Sequence, residues 1–309
     1  MANSELKELK KLRASRWLLD SFLNWFLIIS SIFLAGYLDH FLFYFLAILI
    51  IGSRQHSLAI LAHDGSHWLV CKNRTLNDLI TNVLAFWPMG VTLSSYRDFH
   101  FRHHAYVGTA RDPELGHKIW AAPEWDLPRS RKKKIMLILK DMVGFSSLNL
   151  LKLFEITAPS KLRIILENNL IPICVTMALF LTGHYYAIFL WYGALVTSYW
   201  MVFRLRIWSE HMGTSQTHRI KATFWQRWLF LPVNTWCHWE HHKYPNVPYY
   251  NLPSARKLEI ETHVMSLNEL NQIYSESQEI PSGYPLKKNL DCNFPEFADD
   301  SQLMKALNL

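Results

Sequence analysis

Residues 17–38 read WLLDSFLNWFLIISSIFLAGYL, an almost unbroken apolar stretch from which the fold class follows. At about 1.5 Å per residue, a helix of this length spans about 33 Å. The hydrocarbon core of a bilayer is about 30 Å thick, so the stretch predicts a membrane-spanning helix. Asp20 and Asn24 lie near its start, where polar side chains remain close to the membrane surface.

Three more apolar stretches have similar length, and they cover residues 41–62, 164–181 and 185–203. Short turn sequences, GYLDH and TGH, separate the members of each pair, so each pair predicts a helical hairpin. The predicted fold is therefore an all-α integral membrane protein with four transmembrane helices in two hairpins. Residues at about 63–162 and 204–309 would form a cytosolic helical cap. The whole of 1–309 is predicted to be a single membrane domain.

The composition and charge agree with a membrane protein. Hydrophobic residues make up 50% of the chain and charged residues only 18%, below the roughly 25% of soluble domains. The net charge is +7, and its basic residues cluster beside the apolar stretches, at 7–16, 129–134, 204–206 and 219–227. Because basic loops stay on the cytoplasmic side, a multi-pass protein with both termini in the cytoplasm is predicted. No RNP, zinc-finger or helix-turn-helix pattern is present, so no nucleic-acid partner is expected.

Two segments differ from simple membrane-spanning helices. Polar residues 52–56, GSRQH, interrupt the second apolar stretch and are expected to face protein or a cavity. An equally open alternative is that Arg54 pairs with a carboxylate at the cytoplasmic rim. Residues 78–93 are apolar but short and broken by Pro88 and Gly90, so they predict an interfacial segment.

Three histidine clusters stand out beyond the ends of the apolar stretches. They read HDGSH at 63–67, HFRHH at 100–104 and HWEHH at 238–242. Histidine is only 15 of the 309 residues, so two His-x-x-His-His matches in one chain are not expected by chance. On a helix, positions i, i+3 and i+4 share a face, which lets neutral imidazoles converge on one ion.

Nine histidines lie in or near these clusters, and nine imidazoles suit two metal ions better than one. Imidazole binds zinc, copper, iron and nickel alike, so the ligand type leaves the metal open. The candidate metal-ligating and catalytic residues are His63, His67, His100, His103, His104, His211, His238, His241 and His242.

Three acidic neighbours, Asp64, Glu210 and Glu240, are placed in the sequence to accept the second imidazole N–H of a ligand. Such hydrogen bonds would fix the tautomer and ring orientation. For each carboxylate, an ordinary ion pair is the open alternative.

The three clusters resemble the signatures of the membrane fatty acid desaturase and hydroxylase superfamily, in the order found there. The segment HKYPNVPYYNLP after the third cluster is also similar to these enzymes, and the resemblance runs from about Arg54 to Pro253. It implies that the nine histidines hold two ferrous ions on the cytosolic side. It further implies an O₂-dependent desaturase that acts on a fatty acyl chain held in a hydrophobic tunnel.

Electrons are expected from a separate ferredoxin or cytochrome b5. The chain contains no His-Pro-Gly-Gly signature, no Cys-x-x-Cys pair and no GxGxxG fingerprint. A basic cytosolic face would suit an acidic electron carrier.

Two alternatives remain open. The animal acyl-CoA desaturases carry Asn where this chain has Ile207, and Glu210-His211-Met212-Gly213 is similar to alkane hydroxylases instead. A hydroxylase or ketolase of an alkane, sterol or carotenoid is therefore the second hypothesis. A metal transporter is the third, although its ligands would be expected at the bilayer midplane rather than beyond the helix ends.

Overall fold

The computed structural model describes residues 2–107, 112–113, 130–147, 162–211, 217–258 and 264–276, with side chains of 2–3, 162–168 and 273–276 left aside. In the sequence, Asp112-Pro113-Glu114 predicts a helix start with Asp112 as its cap, and residues 117–162 predict a mixed, polar segment. Both lie partly outside the described residues. The chain divides into two compact units. The first comprises residues 1–12, 97–137 and 204–309, and the second comprises residues 13–96 and 138–203.

Helices account for nearly all regular structure in the described residues. In chain order they are α1 (Ala2–Leu9), α2 (Ala14–Leu38), α3 (Phe41–Ser66), α4 (Arg74–Thr81), α5 (Leu93–Tyr106), α6 (Arg131–Met142), α7 (Leu162–Leu181), α8 (Tyr185–Val196), α9 (Ser198–Glu210), α10 (Phe224–Leu229), α11 (His238–Lys243), α12 (Leu252–Arg256) and α13 (Leu267–Glu276). Two short strands, β1 (Arg219–Lys221) and β2 (Val264–Ser266), pair in parallel.

Three helical stretches in the described part of the chain are long and apolar enough to cross a membrane: Ala14–Leu38, Phe41–Ser66 and Tyr185–Glu210. The last is interrupted at Thr197, between α8 and α9. A shorter apolar helix, Asn169–Leu181, lies within α7 where the third span is predicted. The prediction of apolar membrane helices is therefore confirmed for three of them.

The first predicted hairpin forms as expected between α2 and α3. Helix α2 ends where Asp39 adopts a left-handed conformation, with φ of 42°. His40 then caps α3, because its Nδ1 accepts a hydrogen bond from the Leu42 N–H at 3.3 Å. At the other end, the indole of Trp17 is fully buried and donates to the Leu61 carbonyl at 3.0 Å.

One face of α2 is apolar and exposed. Its exposed side chains recur at the three- and four-residue spacing of a single helical face: Phe22, Phe26, Ile29 and Phe33. A water-facing helix would bury such residues, whereas a lipid-facing helix exposes them to the hydrocarbon.

The polar stretch within α3 is buried inside its unit, as predicted. Gln55 donates from Nε2 to the Trp191 carbonyl at 2.9 Å. Arg54 donates to the Ser53 hydroxyl at 2.8 Å and contacts Asn24 Oδ1 at 3.5 Å. His56 packs edge-on against the ring of Tyr199. Gln55 and Arg54 are thus hydrogen-bonded to neighbouring helices, as polar side chains within an apolar helix require.

The predicted interfacial segment at 78–93 is a broken helix. Helix α4 passes into a π-helical turn at Asn82–Phe86 and a 3₁₀ turn at Trp87–Met89 that contains Pro88. The Asn82 side chain accepts a hydrogen bond from the Leu93 N–H at 3.0 Å and so holds the first residue of α5. Helix α5 then leads to the second histidine cluster.

The two-stranded sheet is a feature that the sequence analysis did not predict. Its register pairs Arg219 with Val264 and Lys221 with Ser266. Ile220 is fully buried in a small apolar core with Ala222 and Leu231. This core lies in the first unit, next in sequence to the third histidine cluster.

Candidate metal centre

Helix α5 presents the second histidine cluster on one face. His100, His103 and His104 occupy positions i, i+3 and i+4 of the helix, and all three are buried. Helix α11 repeats this spacing with His238, His241 and His242. His211 directly follows α9 and is also buried.

The imidazoles of the first unit form two groups of converging nitrogens. In the first group, Nε2 of His104 lies 3.0 Å from Nε2 of His100 and 2.9 Å from Nε2 of His241. A single ring nitrogen has one proton or one in-plane lone pair, so it cannot hydrogen-bond well to both neighbours. Two nitrogens that bind one ion at about 2.1 Å lie about 3 Å apart when the angle at the ion is near 90°. The observed distances between the Nε2 atoms therefore fit ligands of one ion better than hydrogen bonds.

The second group has the same character. Nε2 of His238 lies 2.7 Å from Nε2 of His211 and 3.1 Å from Nε2 of His242. His103 completes the group, and one ligand atom from each of the four residues lies within 4.8 Å of all the others. Each group therefore has the donor atoms and spacing that a metal ion requires.

His63 and His67 belong to the second unit. They lie at the C-terminal end of α3, where His67 is the capping residue. Both are buried and their ring centroids are 5.8 Å apart. Asp64, between them in sequence, is buried as well.

Asp112 is a functional candidate that the sequence analysis missed, because it was interpreted as a helix cap. Its two carboxylate oxygens lie 2.9 and 3.1 Å from Nδ1 of His103. A carboxylate only accepts hydrogen bonds, so Nδ1 must carry the proton. The Nε2 lone pair of His103 is then available to a metal ion.

Glu210 lies near His238 of the second group. Its Oε1 accepts a hydrogen bond from Nε of Arg206 at 2.7 Å and lies 3.7 Å from Nδ1 of His238. The latter distance is too long for a hydrogen bond, so the carboxylate acts there as a nearby charge.

Glu240 points elsewhere. Its carboxylate accepts a hydrogen bond from Nε of Arg219 at 2.5 Å. Residue 240 lies about 200° around α11 from His238, away from the histidine face. The helical period alone could have predicted this orientation.

Burial keeps the imidazole of His238 in the neutral form. The pKa of His238 is held well below its usual value, first by burial and then by the neighbouring His211 and His242. A neutral imidazole is the form that binds metal.

His218, which is not a candidate ligand, is also buried. Burial lowers its pKa to about 4, although a hydrogen bond with the Ser209 backbone acts in the opposite direction.

The chain is similar to proteins of one known family. The fatty acid desaturase family matches residues 39–270. The dihydrorhizobitoxine desaturase of Bradyrhizobium elkanii is 27% identical over 243 residues, which cover 71% of this chain and 68% of that protein.

Two other relatives act on lipids by name. The sphingolipid delta(4)-desaturase/C4-monooxygenase of Homo sapiens is 26% identical over 215 residues, covering 67% of this chain and 62% of that protein. The sn-1 acyl-lipid omega-3 desaturase (ferredoxin) of Nostoc sp. is 31% identical over 98 residues, covering 32% of this chain and 27% of that protein.

Proposed function

Because the chain belongs to the fatty acid desaturase family and is therefore an oxidoreductase, we propose that it introduces a double bond into a fatty acyl (lipid) chain at the expense of O₂. The observation that carries this proposal is the pair of buried histidine groups, which fit a metal site typical of di-iron desaturases. Membership of the family leaves no support for the metal-transporter hypothesis.

The nine predicted histidines are proposed to hold two Fe²⁺ ions. Seven of them belong to the converging groups of the first unit: His100, His103, His104, His211, His238, His241 and His242. His63 and His67 are proposed to complete the ligand set, because they are buried like six of the other seven and stand in the first signature cluster. Asp64 and Glu210 are proposed to adjust the charge and orientation of these imidazoles.

The two iron ions, when bound, would supply the activation of O₂. The chain's own residues do the rest. Burial shields the histidine groups from water and keeps the imidazole of His238 neutral. Asp112 retains the proton on Nδ1 of His103, so Nε2 would be the nitrogen that holds the ion. The apolar helices would hold the acyl chain with one carbon–carbon pair next to the site.

The overall reaction fixes the electron requirement. Desaturation removes two hydrogens from adjacent carbons and supplies two electrons, whereas reduction of O₂ to two waters takes four. A donor must supply the other two electrons, and two protons must come from the solvent. We propose a separate ferredoxin or cytochrome b5, and the name of the Nostoc relative, which includes ferredoxin, supports the former.

The proposed topology has four spans in two hairpins, with both termini and all histidine clusters on the cytoplasmic side. The three apolar helices and the 20-residue helix α7 support four crossings. The basic clusters beside the helix ends support the orientation. A single membrane domain over 1–309 remains part of this proposal.

Hydroxylation is the second candidate, and one observation favours it. The human relative carries both a desaturase and a monooxygenase activity in its name. Both outcomes begin with the removal of one hydrogen from a methylene, so one metal site can serve both, and the substrate position decides between them.

The direct test is expression in a host of known lipid composition, followed by mass spectrometry of its acyl chains. We expect new unsaturated chains with the intact protein and none with His241→Ala. The matched control is His184→Ala, since His184 lies in the exposed turn between α7 and α8. This variant should match the unsubstituted protein.

The same measurement separates the alternatives. A product heavier by one oxygen atom would favour the hydroxylase and contradict the desaturase. If the intact protein and His241→Ala gave identical lipid profiles, the proposal would lose its support.

A further inference from the structure

A buried arginine is bound to the helix that carries the third histidine cluster. Arg219 lies in strand β1, and its side chain is 1% exposed. Its Nε donates to Oε1 of Glu240 at 2.5 Å, and the side chain of Glu240 is fully buried. The Arg219 guanidinium also lies 3.9 Å from the ring centroid of Trp239. Arg219 thus contacts two adjacent residues of α11.

These contacts fall on the side of α11 that faces away from the ligands. Glu240 stands between His238 and His241 in sequence, but about 200° around the helix from His238. Fixing Glu240 therefore fixes the rotation of α11 about its axis. That rotation determines where the three imidazoles of the cluster point.

The arginine itself is held firmly. Strand β1 pairs with β2, which aligns Arg219 with Val264. The next residue, Ile220, is fully buried, and its carbonyl accepts a hydrogen bond from Nη1 of Arg256 at 3.1 Å. A planar guanidinium with both a hydrogen bond and a stacking contact restricts its partner more than an ammonium does.

The cost of burying this pair suggests a role beyond stability. Removing two charges from water costs several kcal/mol per ion, and apolar residues of the same volume are often as stable. A buried ion pair is consequently better explained by the orientation that it imposes. Here the oriented element is the helix that supplies His238, His241 and His242.

We propose that Arg219 is a positioning residue, which acts through Glu240 and Trp239 to set the orientation of the third histidine cluster. This inference rests on the proposed function, since it assumes that the cluster binds metal. Arg219 would not contact the metal ion or the substrate.

The test is the affinity of the purified metal-free protein for Fe²⁺ or Co²⁺, with the visible spectrum of bound Co²⁺ reporting ligand geometry. Arg219→Lys keeps the charge but loses the planar fork. We expect about 10- to 100-fold weaker binding, the range found when a partner of a metal ligand is changed. We also expect an altered Co²⁺ spectrum and a nearly unchanged melting temperature of the metal-free protein.

The chain offers a matched control in Arg227. Its guanidinium stacks on Trp236 at the same 3.9 Å, and its Nε donates to the Ala222 carbonyl rather than to a residue of α11. Arg227→Lys should leave metal affinity and the Co²⁺ spectrum unchanged.

A double-mutant cycle tests whether Arg219 acts through Glu240. If it does, Arg219→Lys should weaken metal binding much less in the Glu240→Gln background than in the unsubstituted protein. Equal effects in both backgrounds would overturn the route through Glu240. Unchanged affinity and spectrum in Arg219→Lys would overturn the positioning role, as would a melting temperature lowered in proportion to the loss of binding.

Failure of the proposed function would look different. In that case the unsubstituted protein and His241→Ala would bind metal alike, which would overturn both proposals. Binding that depends on His241 but not on Arg219 would overturn the positioning role alone.

Discussion

Asp112 fixes which nitrogen of His103 a metal ion can use, because its carboxylate accepts the Nδ1 proton at 2.9 Å. Asp112→Asn replaces the obligate acceptor with an amide that can also donate, and it removes a charge. We expect about 10- to 100-fold weaker metal binding, measured by titration of the metal-free protein.

The control for Asp112 is another aspartate of the same region. Asp98 lies on α5 and forms an exposed ion pair with Arg102 at 3.4 Å. Exposed pairs contribute little, so Asp98→Asn should bind metal normally. Equal binding by the Asp112 and Asp98 variants would show that Asp112 has no influence on the site.

His218 makes stability depend on pH. Its pKa is about 4 in the folded protein and 6.5 when free, so the unfolded state takes up a proton first as the pH falls. Above pH 6.5, His218 does not reduce the free energy of unfolding. By pH 4, its effect lowers this free energy by roughly 3 kcal/mol. His218→Gln should remove this decrease.

Melting temperatures of the metal-free protein in detergent, from pH 7 to pH 4, measure this effect. His238 also lowers the stability as the pH falls. Because it is present in both the unsubstituted protein and His218→Gln, its effect cancels when the two are compared. The exposed His184→Gln should behave like the unsubstituted chain. Parallel curves for the His218 variant would contradict the assignment.

At the scale of single residues, the sequence predicts which histidines converge better than it predicts their hydrogen-bond partners. The i, i+3, i+4 spacing of His100, His103 and His104 follows from the helical period, so their convergence was predictable. The contacts of Asp112 with His103 and of Arg219 with Glu240 were not. Both join residues from different elements, and no local pattern reports such contacts.

Among the helices, the close approach of α3 and α9 depends on Gly52. A Cβ at this position would lie 2.1 Å from the Ser198 Oγ and 2.6 Å from the Tyr199 backbone nitrogen. The Ser198 hydroxyl in turn donates to the Ile48 carbonyl at 2.5 Å. Gly52→Ala must therefore push the two helices apart or distort them.

We expect Gly52→Ala to destabilise the protein by about 1–3 kcal/mol, the usual cost of overpacking. Thermal unfolding in detergent would show it as a lower melting temperature. Gly193→Ala is the control, because a Cβ there would meet only Ile48 Cδ1 at an ordinary 4.0 Å. Similar melting temperatures for the two variants would contradict the packing argument.

Helices could be predicted from the sequence where a continuous local pattern of apolar residues specifies them. The apolar lengths of α2 and α3 gave these helices to within a few residues, and the turn at residues 39–40 followed from its sequence. The sheet of β1 and β2 was not predictable. Each strand has only three residues, and the pairing joins segments that are far apart in the sequence.

For the whole molecule, the proposed topology places both inter-helix turns on the side opposite the termini. Alkaline phosphatase is active only after export from the bacterial cytoplasm. Fusions after Asp39 and after Gly183 should therefore be active, and a fusion after Leu309 should be inactive. Activity of the Leu309 fusion would contradict the shared cytoplasmic side.

A helical membrane protein could be predicted from the sequence. The length of each apolar stretch and the basic residues beside it can both be read directly along the chain. The substrate was not, since the shape of a hydrocarbon tunnel depends on how whole helices pack. The family indicates the class of chemistry, and the lipid measurement proposed above tests the substrate.

The parallel pairing of β1 with β2 also dictates an order of events during translation. All nine candidate histidines are synthesised before Val264–Ser266 leaves the ribosome, so for a time the nascent chain has every ligand but lacks the partner strand of Arg219. Metal loading should therefore come late. A chain that stops at residue 258 should bind metal poorly, whereas one that stops at residue 276 should load normally, as metal analysis of the two purified products would show.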